Sequence, residues 1–124
     1  MVSPDEPYLY FTRAAAATAL WRVPSTSAGE KLAEGEQQVC ESLFHASNVV
    51  VRGGRVYFVR LERQDANPVY HLSLCDPREG HTRDLWTFPK PASFGLSLSP
   101  DGRKLLFAQL DETRGDLMLA EDVR

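Results

Sequence analysis

An all-β chain, built as a partial β-propeller of about two and a half four-stranded antiparallel blades, is what this sequence predicts. Three observations lead there. A set of short apolar segments recurs at a spacing in the high forties. The segments are joined by residues with tight-turn chemistry. Their hydrophobic residues run together rather than alternate, as expected of sheets covered on both faces.

The spacing is carried by paired segments. Tyr8–Arg13 is followed by Ala19–Val23, Arg55–Arg60 by Val69–Ser73, and Lys104–Ala108 by Asp116–Ala120. Phe11, Phe58 and Phe107 stand 47 and 49 positions apart, and Leu20, Val69 and Leu117 stand 49 and 48 apart. These segments are read as strands B and C of successive units, with the three phenylalanines equivalent and buried between blades.

The remaining strands fill each period. Strand A is read at Asn48–Val51 and Gly95–Leu98, and strand D at Gln37–Cys40 and Arg83–Phe88. Strand A leads into strand B through Arg52-Gly53-Gly54 in one unit and Ser99-Pro100-Asp101-Gly102 in another. Pro100 presets φ, Asp101 caps the turn backbone and Gly102 takes positive φ, so Ser99, Pro100, Asp101 and Gly102 form a structural turn site. Looser turns are expected at Leu61–Pro68 and Leu110–Gly115, and hydrophilic turns at Ala28–Glu30 and Pro77–Gly80. Ala14–Ala17 favours helix but is too short to nucleate one, and reads as a hairpin connection. Within Glu30–Glu41 there is room for one helical turn.

The strand order becomes B-C-D, A-B-C-D, A-B-C, one domain over residues 1–124 with units of approximately 1–43, 44–92 and 93–124. Ser3-Pro4-Asp5 matches the A–B turn, so the chain begins inside a hairpin, and it ends just after a strand C. On that ground it is expected to be the C-terminal portion of a longer propeller protein.

Composition narrows the function. The 124 residues are 43% hydrophobic with a net charge of −3, the range of a folded chain rather than a disordered one. No basic stripe suits a nucleic acid, no apolar run is long enough to cross a bilayer, and the polar start is no signal peptide. Nothing here points to a compartment. Cys40 and Cys75 read as two half-buried thiols, able to form a disulfide only if the fold brings them together. His45, His71 and His81 lack metal-ligand spacing, and Asp111-Glu112 and Glu121-Asp122 read as solvated turn residues. There is no nucleophile elbow, P-loop or dinucleotide fingerprint. No catalytic, cofactor or metal residue is therefore assigned. Tyr57, Phe58, Tyr70, Trp86 and Phe88 lie within strands and read as blade-to-blade packing rather than a ligand groove.

The stretches Ser99-Pro100-Asp101-Gly102-Arg103-Lys104-Leu105-Leu106-Phe107 and Leu20-Trp21-Arg22-Val23-Pro24 resemble TolB-like propeller repeats of the WD40-like, PD40 type. Gly115–Arg124 looks like the C-terminal end of a bacterial group in that family. Only the third unit carries the Ser-Pro-Asp-Gly turn intact. Ser3-Pro4-Asp5-Glu6 lacks the glycine, and Arg52-Gly53-Gly54-Arg55 lacks Ser-Pro-Asp. The resemblance implies a non-enzymatic module for protein interaction or scaffolding, contacting a protein partner or a second copy through exposed blade faces. Two alternatives accompany it. One is the ligand-sensing propeller of a bacterial regulator, with a winged-helix or kinase domain upstream. The other is the gating propeller of a prolyl oligopeptidase-type peptidase, which would need a hydrolase domain to follow.

Overall fold

Ten strands in three antiparallel sheets make up the computed structural model, which describes residues 8–13, 16–24, 36–64, 67–111 and 114–123. The first sheet contains β1 (Tyr8–Arg13), β2 (Ala16–Pro24) and β3 (Gln37–Cys40). The second contains β4 (Val49–Arg52), β5 (Arg55–Gln64), β6 (Asn67–Asp76) and β7 (His81–Thr87). The third contains β8 (Ala92–Leu98), β9 (Lys104–Asp111) and β10 (Arg114–Glu121). Every sheet is a meander in which chain neighbours pair, matching the strand sequence expected.

Turn chemistry sets the reversals. Arg52 pairs with Arg55 across Gly53 and Gly54, whose φ values are 60° and 79°. Two successive positive φ angles give a turn whose twist matches the strands it joins. In the third sheet the Ser99 amide donates to the Lys104 carbonyl at 2.8 Å, and the Gly102 amide to the Ser99 carbonyl at 2.9 Å. Gly102 has φ 74°. The Asp101 carboxylate accepts from the Ser99 hydroxyl at 2.6 Å and from the Arg103 amide at 3.0 Å. These two bonds, the Ser99 one foremost, hold its pKa below the usual carboxylate value.

The structure corrects four expectations. The B–C connections are not loose: β5 and β6 pair as far as Gln64 opposite Asn67, and β9 and β10 as far as Asp111 opposite Arg114. Strand D of the second unit is His81–Thr87 rather than Arg83–Phe88, and strand A of the third begins at Ala92 rather than Gly95. Gln37–Cys40 is strand D as expected, and residues 30–35, where a helical turn has room, lie outside the described residues. Phe11 is only half-buried, unlike Phe58 and Phe107. The expected turns at Ser3–Asp5 and Ala28–Glu30, and the connection at Ala14-Ala15, lie outside the described residues.

Two apolar clusters join the sheets. One lies between the first and second and includes Tyr10, Leu20, Cys40, Val49, Val56 and Phe58. The other lies between the second and third and includes Tyr57, Val59, Leu72, Phe88, Leu105 and Phe107. Alternation along β5 sends Val56 and Phe58 one way and Tyr57 and Val59 the other, so all four are buried. Phe58 and Phe107 each face the preceding sheet. Phe11 stands next to the inward-facing Tyr10 and points away from the second sheet, so it is less covered. Past β10 the chain returns to this core: the Val123 amide donates to the Arg103 carbonyl at 2.9 Å, and Val123 is buried.

The inner edge of β5 outruns the short β4. The segment before β4 covers the excess: the Phe44 amide donates to the Val59 carbonyl at 2.8 Å, and the Leu61 amide to the Ser42 carbonyl at 2.7 Å. Ser42 adopts φ 60° to make this approach, a strained angle for a residue with a Cβ. The third sheet repeats the device, the Leu110 amide donating to the Pro91 carbonyl at 2.8 Å.

Candidate functional site

The expected turn residues Ser99, Pro100, Asp101 and Gly102 close a hairpin, and no cluster of three or more His, Cys, Asp or Glu able to hold a metal occurs among the described residues. The notable polar arrangement lies elsewhere, on the face of the second sheet that looks toward the first. Cross-strand pairing sets Arg60 opposite His71, and Ser73 opposite both Phe58 and Asp84. Arg60 grips Asp84 with two parallel donors, Nε to Oδ1 at 3.2 Å and Nη2 to Oδ2 at 2.7 Å. The Ser73 hydroxyl donates to Asp84 Oδ1 at 2.7 Å. His71 Nε2 lies 2.9 Å from Glu62 Oε2, which can only accept, so Nε2 carries the proton. His71 Nδ1 meets the Thr87 hydroxyl at 3.0 Å.

Burial pushes the Asp84 carboxyl up, but the hydrogen bonds from Arg60 and Ser73 and the neighbouring positive charge outweigh it, and the net shift is downward. A carboxyl depressed below its unfolded value of 3.8 contributes stability that is complete above that pH and is lost as pH falls through the folded value. Asp84→Asn is therefore expected to cost about 1 kcal/mol at pH 7, the pair being part-exposed. The difference between variant and parent should vanish in strong acid. Urea titrations at neutral and acidic pH check this; an equal difference at both would mean that Asp84 does not titrate differently on unfolding.

Beside this network lies a cavity of about 650 Å³, lined by Gln38 of β3, by Glu41 and Ser42 of the segment that runs from β3 to the edge of β5, and by Arg60, Glu62 and Arg63 of β5. The apolar cluster closes the rest of the interface between the first and second sheets.

Two apolar features reach the surface. Asn48 is buried and donates through Nδ2 to the carbonyls of Ser93 at 3.0 Å and Gly95 at 3.5 Å. It thereby braces an irregularity between Ala92 and Leu96, where Gly95 takes φ 112°. Bulges re-aim side chains. Here Phe94 is exposed, stacked on Phe44 at 5.7 Å and in contact with His45 at 4.4 Å. Phe44 meets Tyr70 edge-on at 5.1 Å. The larger feature is the outer face of the third sheet. Pairing sets Leu119 opposite Leu106 and Leu117 opposite Ala108, so these residues share a face with Leu110. The exposures are 42% for Leu106, 41% for Leu110, 75% for Leu117 and 56% for Leu119.

Sequence reasoning foresaw open blade faces but missed the charge network and the aromatic group. Cys40 and Cys75 are both buried free thiols in one cluster, more enclosed than expected. Burial, with Cys75 adding to it, pushes the Cys40 thiol up to about 12, and burial raises Cys75 as well, so neither favours the thiolate that reacts.

No family model matches the chain, and no curated protein does. A solved structure, the crystal structure of TolB from Acinetobacter baumannii, is similar with a TM-score of 0.57 and 16% identity. The match covers 94% of this chain and 27% of that one. Likeness at this identity concerns the fold, and the fold is all-β, a partial β-propeller. The chain spans about a quarter of the TolB chain it resembles.

Proposed function

We propose that this chain is a non-catalytic propeller segment whose role is protein–protein contact, its first occupant being a second copy of itself. Residues 1–124 are taken as one domain with units near 1–43, 44–92 and 93–124. The observation that carries the reading is the leucine face of the third sheet. Four part-exposed or exposed leucines on one sheet face form a contiguous apolar surface of the kind that marks interaction sites. β10 also ends its sheet, with one hydrogen-bonding edge unpaired among the described strands. A propeller blade is ordinarily covered on both faces by its neighbours, and the opposite face of this same sheet is so covered. A blade from a second copy offers the matching chemistry. The repeat resemblance in Ser99–Phe107 supports a place among bacterial TolB-like, PD40-type proteins, where such a segment would work beside a regulatory domain. Light scattering on the chain at micromolar concentration tests the reading. A mass above the 13.9 kDa of one chain is expected, and a sharp monomer at all concentrations would overturn it.

A further inference from the structure

We infer that the cavity between the first and second sheets is a binding site for a small zwitterion, an amino acid or short peptide with a free ammonium and a free carboxylate. The cavity, about 650 Å³, is of the size that holds small ligands. Its walls carry both signs of charge. On the second sheet, Arg60 and Glu62 stand 3.6 Å apart, and each is fixed from behind, Arg60 by Asp84 and Glu62 by His71. Charged groups locked by such supports are pre-organised for recognition. Arg60 engages Asp84 through Nε and Nη2, which leaves the Nη1 donors without a hydrogen bond among the described residues.

The segment that follows β3 adds Glu41 to the lining. Its Oε1 accepts from Gln38 Nε2 at 2.7 Å, and among the described residues it has no cationic partner. Ser42 follows in its strained conformation, held there by the Leu61 amide. Strained backbone of this kind gathers at ligand sites. A lone anion entering here would gain Arg60 but meet Glu41 and Glu62, and a lone cation would gain Glu41 and Glu62 but meet Arg60 and Arg63. A zwitterion satisfies both signs of charge, its carboxylate on Arg60 and its ammonium on Glu41 and Glu62.

Ligand-observed saturation-transfer NMR tests this whatever the assembly state of the protein. The probes are triglycine, N-acetyltriglycine and triglycinamide, which carry both charges, the negative one alone and the positive one alone. Triglycine should bind saturably, and blocking either end should weaken it about tenfold. Glu41→Gln, an exposed change outside the charge network, should weaken triglycine by a similar factor and leave N-acetyltriglycine bound no more weakly than before. No saturable signal up to about 10 mM, equal binding of the three probes, or binding indifferent to Glu41→Gln would each overturn the assignment.

Discussion

Phe58→Ala is expected to abolish cooperative unfolding of the chain. Phe58 is completely buried at the centre of β5, between Val49 on one side and Ser73 on the other. It faces the first sheet and packs in the cluster that holds Tyr10, Leu20 and Cys40 from that sheet. Truncating a buried aromatic ring costs about 3–5 kcal/mol, the lost transfer energy plus the unfilled cavity. Whole domains are stable by only about 5–15 kcal/mol, and an array of three sheets joined by two apolar interfaces belongs at the lower end. The loss falls on the interface that also contains the open cavity, so little remains there to hold the first sheet. Phe11→Ala is the comparison. That ring faces away from the second sheet and is half-buried, so its loss should leave a cooperative transition at a lower midpoint. Denaturation followed by circular dichroism decides it. A Phe58→Ala chain that melts like its parent would show that β5 does not lie between two sheets in this register.

The repeat was legible because it rests on backbone requirements that few residues meet. Gly53-Gly54 and Ser99–Gly102 can be read directly as reversals, and the phenylalanines in phase with them give the strand-B spacing. Hairpin length was not legible. The stretch from Glu62 to Asn67 is polar, and polar residues between apolar runs read as loop. In the fold this part of β5 and β6 extends beyond the apolar clusters, where strand pairing needs only backbone hydrogen bonds. The same ambiguity hid the charge network. Arg60 meets His71 only if β5 and β6 pair up to Gln64 opposite Asn67; with a loose turn there, their register is undefined. The signal that could have found it is the i, i+2 spacing of His71 and Ser73 in alternation with Leu72 and Leu74, which sets two polar groups on one strand face. Phe11 was misjudged for a different reason. Its place in the repeat is that of Phe58, but burial depends on which sheet stands in front of it, and repeat position does not state that.

Replacing Leu117 and Leu119 together by lysine is expected to convert the assembled chain into monomers without unfolding it. Both side chains lie on the outer face of β10 and are more exposed than buried within one chain, so their removal takes little from the intramolecular core. Surface changes of this kind usually alter stability by less than about 0.5 kcal/mol. In an assembly the position is reversed. Two lysines at the middle of an apolar contact must be desolvated, and with no carboxylate placed opposite them the cost is several kcal/mol, enough to shift dissociation by orders of magnitude. Lys104 and Glu121 already pair at 3.9 Å at the rim of the same face, so Glu121 is not an idle acid for the added charges. The double variant should therefore scatter as a single 13.9 kDa chain and keep the parent's unfolding midpoint at low protein concentration. If the variant is monomeric but unfolded, the leucines belong to the chain's own core, and the proposed contact is wrong. If it stays assembled and folded, the contact lies elsewhere, with the aromatic group around Phe94 the next surface to test by Phe94→Ser. Concentration dependence separates two forms of the expected contact. Leucine face against leucine face closes as a dimer, whereas leucine face against another surface of the next copy continues into rings or filaments. A mass that keeps growing with concentration in the parent, and falls to one chain in the variant, would identify the second.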